Sequence, residues 1–429
     1  MQMNHRPLTW SLAVSALFLY PARSPLSAQS AAVDYDEVDP WAGVSVSAPG
    51  PDSAAIAGFM RSLALADPLV CQLVAHSIGN NSGGGDAPYQ PGILRGEDVQ
   101  ERARRALNED VTDHAALAHL ATSLGDEHAC VRRVAARMLG GSDAPEATRL
   151  LREALRHKDT EVREAAALGL AEAEDTAAIP DLTRTLRDRE PAVVRMVAYA
   201  LGEMEDARAV DPLMSLLRSD DPVTRAAAAS ALGELENRRA TDGLTPLVRD
   251  RDPHVQVAAV EALGEIEDPR AVAALSHALS SGGLEVRRAA AEALGSIEDR
   301  KAADALASAL GDSDPVVRRL AAQSLGELDD LKHAPPPLVT ALRDRDPELR
   351  VIAAMTLGEI EDSTTVPALA QAYAGGEPRL RYAIVNALSE MDDPRGDTVL
   401  ALAARDSDSA VRHAAAEALK DRRQDEDDD

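Results

Sequence analysis

A leucine followed by a small residue and, in most copies, an acid returns along this chain at Leu107, Leu139, Leu170, Leu201, Leu232, Leu263, Leu294, Leu325, Leu357, Leu388 and Leu419. The interval is 31 residues, stretched twice to 32. Asp67 precedes Ile78 by eleven residues, as Asp221 precedes Leu232, so Ile78 takes the same place and the chain carries twelve units. A unit this short cannot bury an apolar face alone; its neighbours must stack on it into one continuous core.

Each unit reads as two helices, A then B. Before the marker leucine the apolar residues recur at helical spacing, as in Thr224, Ala227, Ala228, Ala231, Leu232 and Leu235, which is one face of an α-helix. A second set follows each marker by nine, twelve and sixteen residues, as in Val210, Leu213 and Leu217. The position eleven before the marker is Asp in seven units and the next is Pro in seven, so aspartate caps helix B and proline opens it. Asp206, Asp268, Asp299, Asp330 and Asp362 stand at the other turn, where a carboxylate can accept the free amides of helix A. With 2% aromatic residues, alanine and leucine must do the packing. The fold class is all-α, an α-solenoid of about twelve two-helix repeats spanning 54–423.

The segments "DPVTRAAAASALGELEN", "DPVVRRLAAQSLGELDD" and "DPELRVIAAMTLGEIED" resemble HEAT repeats in the short bacterial form known as PBS lyase HEAT-like repeats. The resemblance implies an armadillo-like right-handed superhelix with B helices on the concave side, and mostly protein-binding roles. Some members of the group are bilin lyases or di-iron hydroxylases. The hydroxylases carry His-Glu dipeptides on several repeats; the comparable places here read His413-Ala414 and Arg163-Glu164.

Outside the repeats, Arg6 precedes an apolar run from Leu8 to Tyr20, then Pro21 and small residues. That is the layout of a secretory signal peptide over 1–30, followed by a linker over 31–53. The run is shorter than the roughly 20 residues that span a bilayer. The expectation is export to the periplasm or beyond, with no stable membrane insertion after cleavage; if the segment is not a signal, the chain stays cytoplasmic. Residues 424–429 form an acidic tail, and 79–96 form a Gly/Pro-rich insertion where helix A of the second unit should stand. A missing helix there opens a notch between the first two units.

The formal net charge of −27 argues against nucleic acid, whose binding needs a cationic surplus that releases counterions. Arg132, Arg163, Arg225, Arg287, Arg318, Arg350, Arg381 and Arg412 lie seven before their markers. They read as a structural ladder to the capping aspartates, in their own or the adjacent turn. The rows six and two before the marker face away from the packing stripe and form one ridge per unit. On it Arg195, Tyr199, Arg288, Arg319, Val351, Met355, Tyr382 and Asn386 are the candidate partner-binding residues, mixing the arginine and aromatic anchors that interfaces favour.

His114, His119, His128 and Cys130 lie close in sequence without a CxxC or HxxxH spacing, which argues against zinc. Cys71 and Cys130 belong to units one and three, too far apart at two helix spacings to be bridged, so free, mostly packed thiols are expected unless the missing helix lets the first unit fold over. No catalytic, cofactor or metal residues are assigned. The reading is a monomeric exported scaffold that binds a protein or peptide; an enzyme of the lyase or hydroxylase kind and a passive spacer remain the alternatives.

Overall fold

The computed structural model describes residues 53–66, 111–391 and 393–428. The segment over 1–30, the insertion 79–96, Ile78, Leu107 and Cys71 lie outside the described residues. Those described contain twenty-one α-helices and no strand, grouped into two compact units that divide between Ala178 and Ile179.

The first unit holds α1 (Ser53–Leu65), α2 (His114–Ser123), α3 (Ala129–Gly140), α4 (Pro145–Ala154) and α5 (Thr160–Glu172). The second runs α6 (Ile179–Thr185), α7 (Pro191–Glu203), α8 (Val210–Leu216), α9 (Pro222–Glu234), α10 (Thr241–Leu244) and α11 (Pro253–Glu265). It continues with α12 (Val272–Ser281), α13 (Leu284–Ser296), α14 (Ala303–Ala309), α15 (Pro315–Gly326), α16 (Pro336–Ala341) and α17 (Pro347–Ile360). It ends with α18 (Val366–Gly375), α19 (Pro378–Glu390), α20 (Pro394–Ala403) and α21 (Ser409–Asp428). From α2 onward, even numbers are A helices and odd numbers B helices, and within each unit successive B helices pack side by side. This is the α-solenoid arrangement. α10 is the shortest A helix because Pro246 cannot continue it; a 3₁₀ turn over Thr245–Arg249 carries the chain on.

The marker leucines are the core. Leu139, Leu170, Leu201, Leu232, Leu263, Leu294, Leu325, Leu357 and Leu388 are all 0% exposed. The alanines between them are buried with them, including Ala228, Ala229, Ala290, Ala322 and Ala354. Such small residues let backbones approach closely, and the glycine after the marker takes this furthest: at Gly264 a Cβ would meet Cβ of Ala293 at 2.8 Å.

Asp221, Asp252, Asp314 and Asp346 accept amide protons at the first turns of α9, α11, α15 and α17, with Pro in the first turn. At the other turn Asp206, Asp268, Asp299 and Asp362 cap short 3₁₀ turns that lead into the A helices. Asp330 does not cap. It sits at φ 55°, the left-handed place held by Glu174, Glu205, Glu236, Glu267, Glu298 and Glu361 in the other turns. The extra residue in that repeat moves it there, and the N-cap of α16 is Pro335 instead.

Two further expectations change in the first unit. α1 belongs to the first repeat, yet it packs directly on α2 and α3 of the third, burying Ile56, Phe59, Met60 and Leu63. Spacing by two helix layers therefore does not hold there. Cys130 accordingly is not a free thiol: it is disulfide-bonded, and the other cysteine of the chain is Cys71.

Candidate functional site

The B helices carry three side chains per repeat on the face turned away from the packing stripe, at six before, two before and two after the marker leucine. The spacing of four places them one above another on the helix. Examples are Arg195, Tyr199 and Glu203 on α7, and Val351, Met355 and Glu359 on α17.

At one edge of this face stand the arginines, and each is engaged. Arg195 reaches the carboxylate of Asp221 at 3.6 Å, Arg288 that of Asp314 at 3.0 Å, and Arg319 that of Asp346 at 2.8 Å. Their partners are the N-caps of the following B helices. These three residues therefore tie repeat to repeat. Val351 holds the same position and is buried, 7% exposed. The position borders the seam with the following repeat, where Ala226 is buried too. Val351 thus belongs to the core side of the ridge and not to an open patch.

The middle row is open at Tyr199, Gln323, Met355 and Asn386 and half-buried at Leu168, Ser230, Glu261 and Glu292. Tyr199 is 39% exposed, Met355 51% and Tyr382, six before its own marker, 42%; Asn386 is exposed beside Tyr382 on α19. Large apolar side chains left this open are few among the described residues, and three of them lie on this one face.

The other edge, two after the marker, is acidic: Glu172, Glu203, Glu234, Glu265, Glu327, Glu359 and Glu390. Sequence reasoning took this row as part of the repeat signature and missed it as a surface. The signal was its spacing of four residues from the ridge row. Burial among neighbouring turns, then Glu234, Glu261 and Glu236, push Glu265 up to about 8. Burial and then Glu292 raise Glu261 to about 6. Glu234, Glu292, Glu327 and Glu359 are raised for the same two reasons, crowding first and other glutamates second. Glu265 is open to solvent on one side although protein crowds it on the other. Water on the open side screens part of the repulsion.

The glycine after the marker creates part of this crowding. A Cβ at Gly233 would collide with Oε2 of Glu265, one at Gly295 with Oε2 of Glu327, and one at Gly326 with Oε2 of Glu359. Each carboxylate thus lies over the C-terminal turn of the preceding B helix, whose dipole is itself negative.

The arginines seven before the marker point elsewhere. Nη1 of Arg225 donates to the carbonyls of Ser219 and Asp220, while Nε and Nη2 grip the carboxylate of Asp250 at 2.9 and 2.8 Å. Arg287 holds Gly282 and Asp312, Arg318 holds Asp312 O and Asp344, Arg350 holds Asp344 O and Glu377, and Arg381 holds Gly376 and Asp406. Arg132, Arg163 and Arg412 donate to the carbonyls of their own turns. In the following repeat the carboxylate taken is, except at Glu377, the aspartate two residues before the cap. That aspartate also accepts the amide of the cap residue, as Asp250 does from Asp252. Arg287 beside Asp312 and Arg381 beside Asp406 hold those carboxyls low against a burial penalty, for Asp312 the larger influence.

A leucine-marked two-helix repeat, rungs between turns and small residues where B helices meet thus recur along the described residues. The profile for HEAT repeats matches residues 95–168, 115–202, 150–232, 210–283, 277–339 and 335–420. The chain is a HEAT-repeat protein. Among solved structures, one described as Kap95p inducing the switch loops of RanGDP to adopt the GTP-bound conformation is similar, with TM-score 0.52 and 13% identity. The match covers 85% of this chain and 56% of that one, so the HEAT protein spans little more than half of it. An engineered protein matches at TM-score 0.40 and 21% identity over 82% of this chain and 98% of its own. The CpcE–CpcF complex of phycocyanin lyase from Nostoc sp. PCC7120 matches at TM-score 0.35 and 23% identity, over 57% and 93%. At these identities the likeness extends to fold alone. No curated protein matches the sequence.

His114 of this HEAT protein pairs with Glu146 at 2.8 Å and His128 with Asp126 at 2.9 Å, and Cys130 is in its disulfide. Among the described residues no group of three or more His, Cys, Asp or Glu is placed to hold a metal ion, and no helix is long and apolar enough to cross a membrane.

Proposed function

We propose that this HEAT protein is an exported, non-catalytic scaffold that binds a protein or peptide along the open face of its B helices. The observation that carries the reading is the exposure of Tyr199, Met355 and Tyr382 on one face of the B helices of the second unit, which among the described residues no helix covers. Aromatic and methionine side chains left in water are costly to keep there and are typical anchors of interfaces. The arginines of the same face are structural, which narrows the anchors to the apolar row.

Two observations support export. The first thirty residues have the layout of a signal peptide, and Cys130 is disulfide-bonded, as suits an oxidising compartment.

The test is affinity capture from the extracytoplasmic fraction with wild-type protein and with M355S/Y382S. A partner held by wild type and lost from the folded double variant is the expected result; an unchanged set of captured proteins refutes the reading. Mass spectrometry of the N-terminus of protein from each fraction tests export, which an intact Met1 recovered from the cytoplasm refutes.

A further inference from the structure

The scaffold reading leaves the partner's chemistry open, and the open face itself restricts it. Its cations are engaged: Arg195, Arg288 and Arg319 each lean on a cap aspartate of the next repeat. Its carboxylates are not matched in this way. The charges that act on Glu234, Glu261, Glu265, Glu292 and Glu359 are those of other glutamates. Met355 and Tyr382 stand at the end of this acidic stretch, both open to solvent. The face is thus an apolar anchor point continued, from Glu234 on, by a line of carboxylates that crowd one another and meet no cation among the described residues of the second unit.

Spacing restricts the partner further. Packed helices lie about 8–10 Å apart, so that Glu234, Glu265, Glu292, Glu327 and Glu359, one per repeat with Ser296 in place of a glutamate two after the marker of α13, recur on that scale. A polyproline II segment has three residues per turn and rises about 3.1 Å per residue, which sets every third side chain on one side at roughly 9 Å intervals. A strand alternates faces at a spacing near 7 Å and falls out of step within a few repeats.

We propose that the B-helix face of the second unit, from Glu234 to Tyr382, seats an extended partner segment with lysine or arginine at every third position. An apolar residue of that segment reaches Met355 and Tyr382. This rests on the scaffold reading and adds the partner's charge, conformation and period. The ammonium or guanidinium groups would each meet one repeat's carboxylate, at the surface but crowded by neighbouring turns, and would offset its repulsion from the next. A neutral or acidic segment would leave that repulsion in place.

The probes are synthetic peptides binding to the full-length protein, followed by fluorescence anisotropy at fixed salt. The first carries Lys at positions 1, 4, 7 and 10 and Phe at 13, with Pro, Ser and Ala between. The second has the same composition with the lysines contiguous, and a third replaces Lys by Glu. We expect the periodic peptide to bind at least tenfold more tightly than the contiguous one and the acidic peptide not to bind. E234Q/E265Q/E327Q/E359Q should lose at least tenfold for the periodic peptide while its circular dichroism and melting show it folded. Equal affinity for the two basic peptides, equal affinity of the glutamine variant, or displacement by spermine at equal charge concentration overturns the proposal. The scaffold reading fails separately. If M355S/Y382S loses the captured partner while the glutamine variant keeps it, the scaffold stands and the basic segment falls.

Discussion

Gly358 offers a sharp test of how the repeats are held at their separation. It lies in α17, where a Cβ would stand 2.7 Å from Cα and 3.0 Å from Cβ of Ala387 on α19. Ordinary carbon contacts begin near ~3.5 Å, so G358A requires the two helices to part locally by roughly 0.5–1 Å. Neither neighbour yields easily, since Ala387 offers backbone and Leu357 and Leu388 beside them are 0% exposed. Two effects oppose each other. Replacing glycine inside a helix by alanine contributes about 1 kcal/mol of stability, whereas overpacking a filled core costs about 1–3 kcal/mol. The backbone clash decides the sign, and we expect a net loss of about 1–2 kcal/mol, or a fall in Tm of about 2–8 °C for a unit of this size. Gly375 is the control. A Cβ there meets nothing within 4 Å, so G375A should melt at or slightly above the wild-type temperature. Thermal melts followed by circular dichroism compare the two. A G358A protein as stable as wild type, or a G375A protein that loses as much, refutes the view that glycine is there for close approach.

Three further outcomes test the electrostatics and the crosslink. Glu265 has a folded pKa of about 8 against an ordinary 4.5, so its favourable contribution is complete below about 4.5 and lost as pH rises through about 8. E265Q should therefore gain on wild type progressively across that window, by about 1 kcal/mol or less because the tip is solvated, and a pH-independent difference in urea midpoints would contradict this. R287M removes the half-buried grip on Asp312 and the bond to Gly282 and should cost about 1–3 kcal/mol; R287M/D312N should recover part of it, which a double-mutant cycle measures. Reduction of the Cys130 disulfide should destabilise the first unit by about 2–4 kcal/mol and leave hydrogen exchange in α11 and α13 unchanged.

The repeat, its two helices and most caps were legible because each depends on residues within one turn of each other. Leu232, Ala228 and Asp221 announce α9 without reference to anything distant. What was not legible depends on the neighbouring copy. Arg288 looked like an anchor because its partner, Asp314, lies 26 residues on, and Val351 looked exposed because the seam covering it is made by another repeat. The glutamate row was visible but repeated so regularly that it passed for packing signature; only its side-by-side placement reveals uncompensated charge. Cys130 was misread from a regular spacing that α1 does not keep.

The rungs from Arg225, Arg287, Arg318, Arg350 and Arg381 each join one turn to the next copy's turn and to nothing beyond it. A copy inserted or deleted whole, at any register that restores the same arginine and acid, meets the same handshake on both sides. The array can therefore lengthen or shorten through unequal crossing-over of its gene without any compensating change elsewhere. Copy number becomes a heritable dial on the length of the B-helix face.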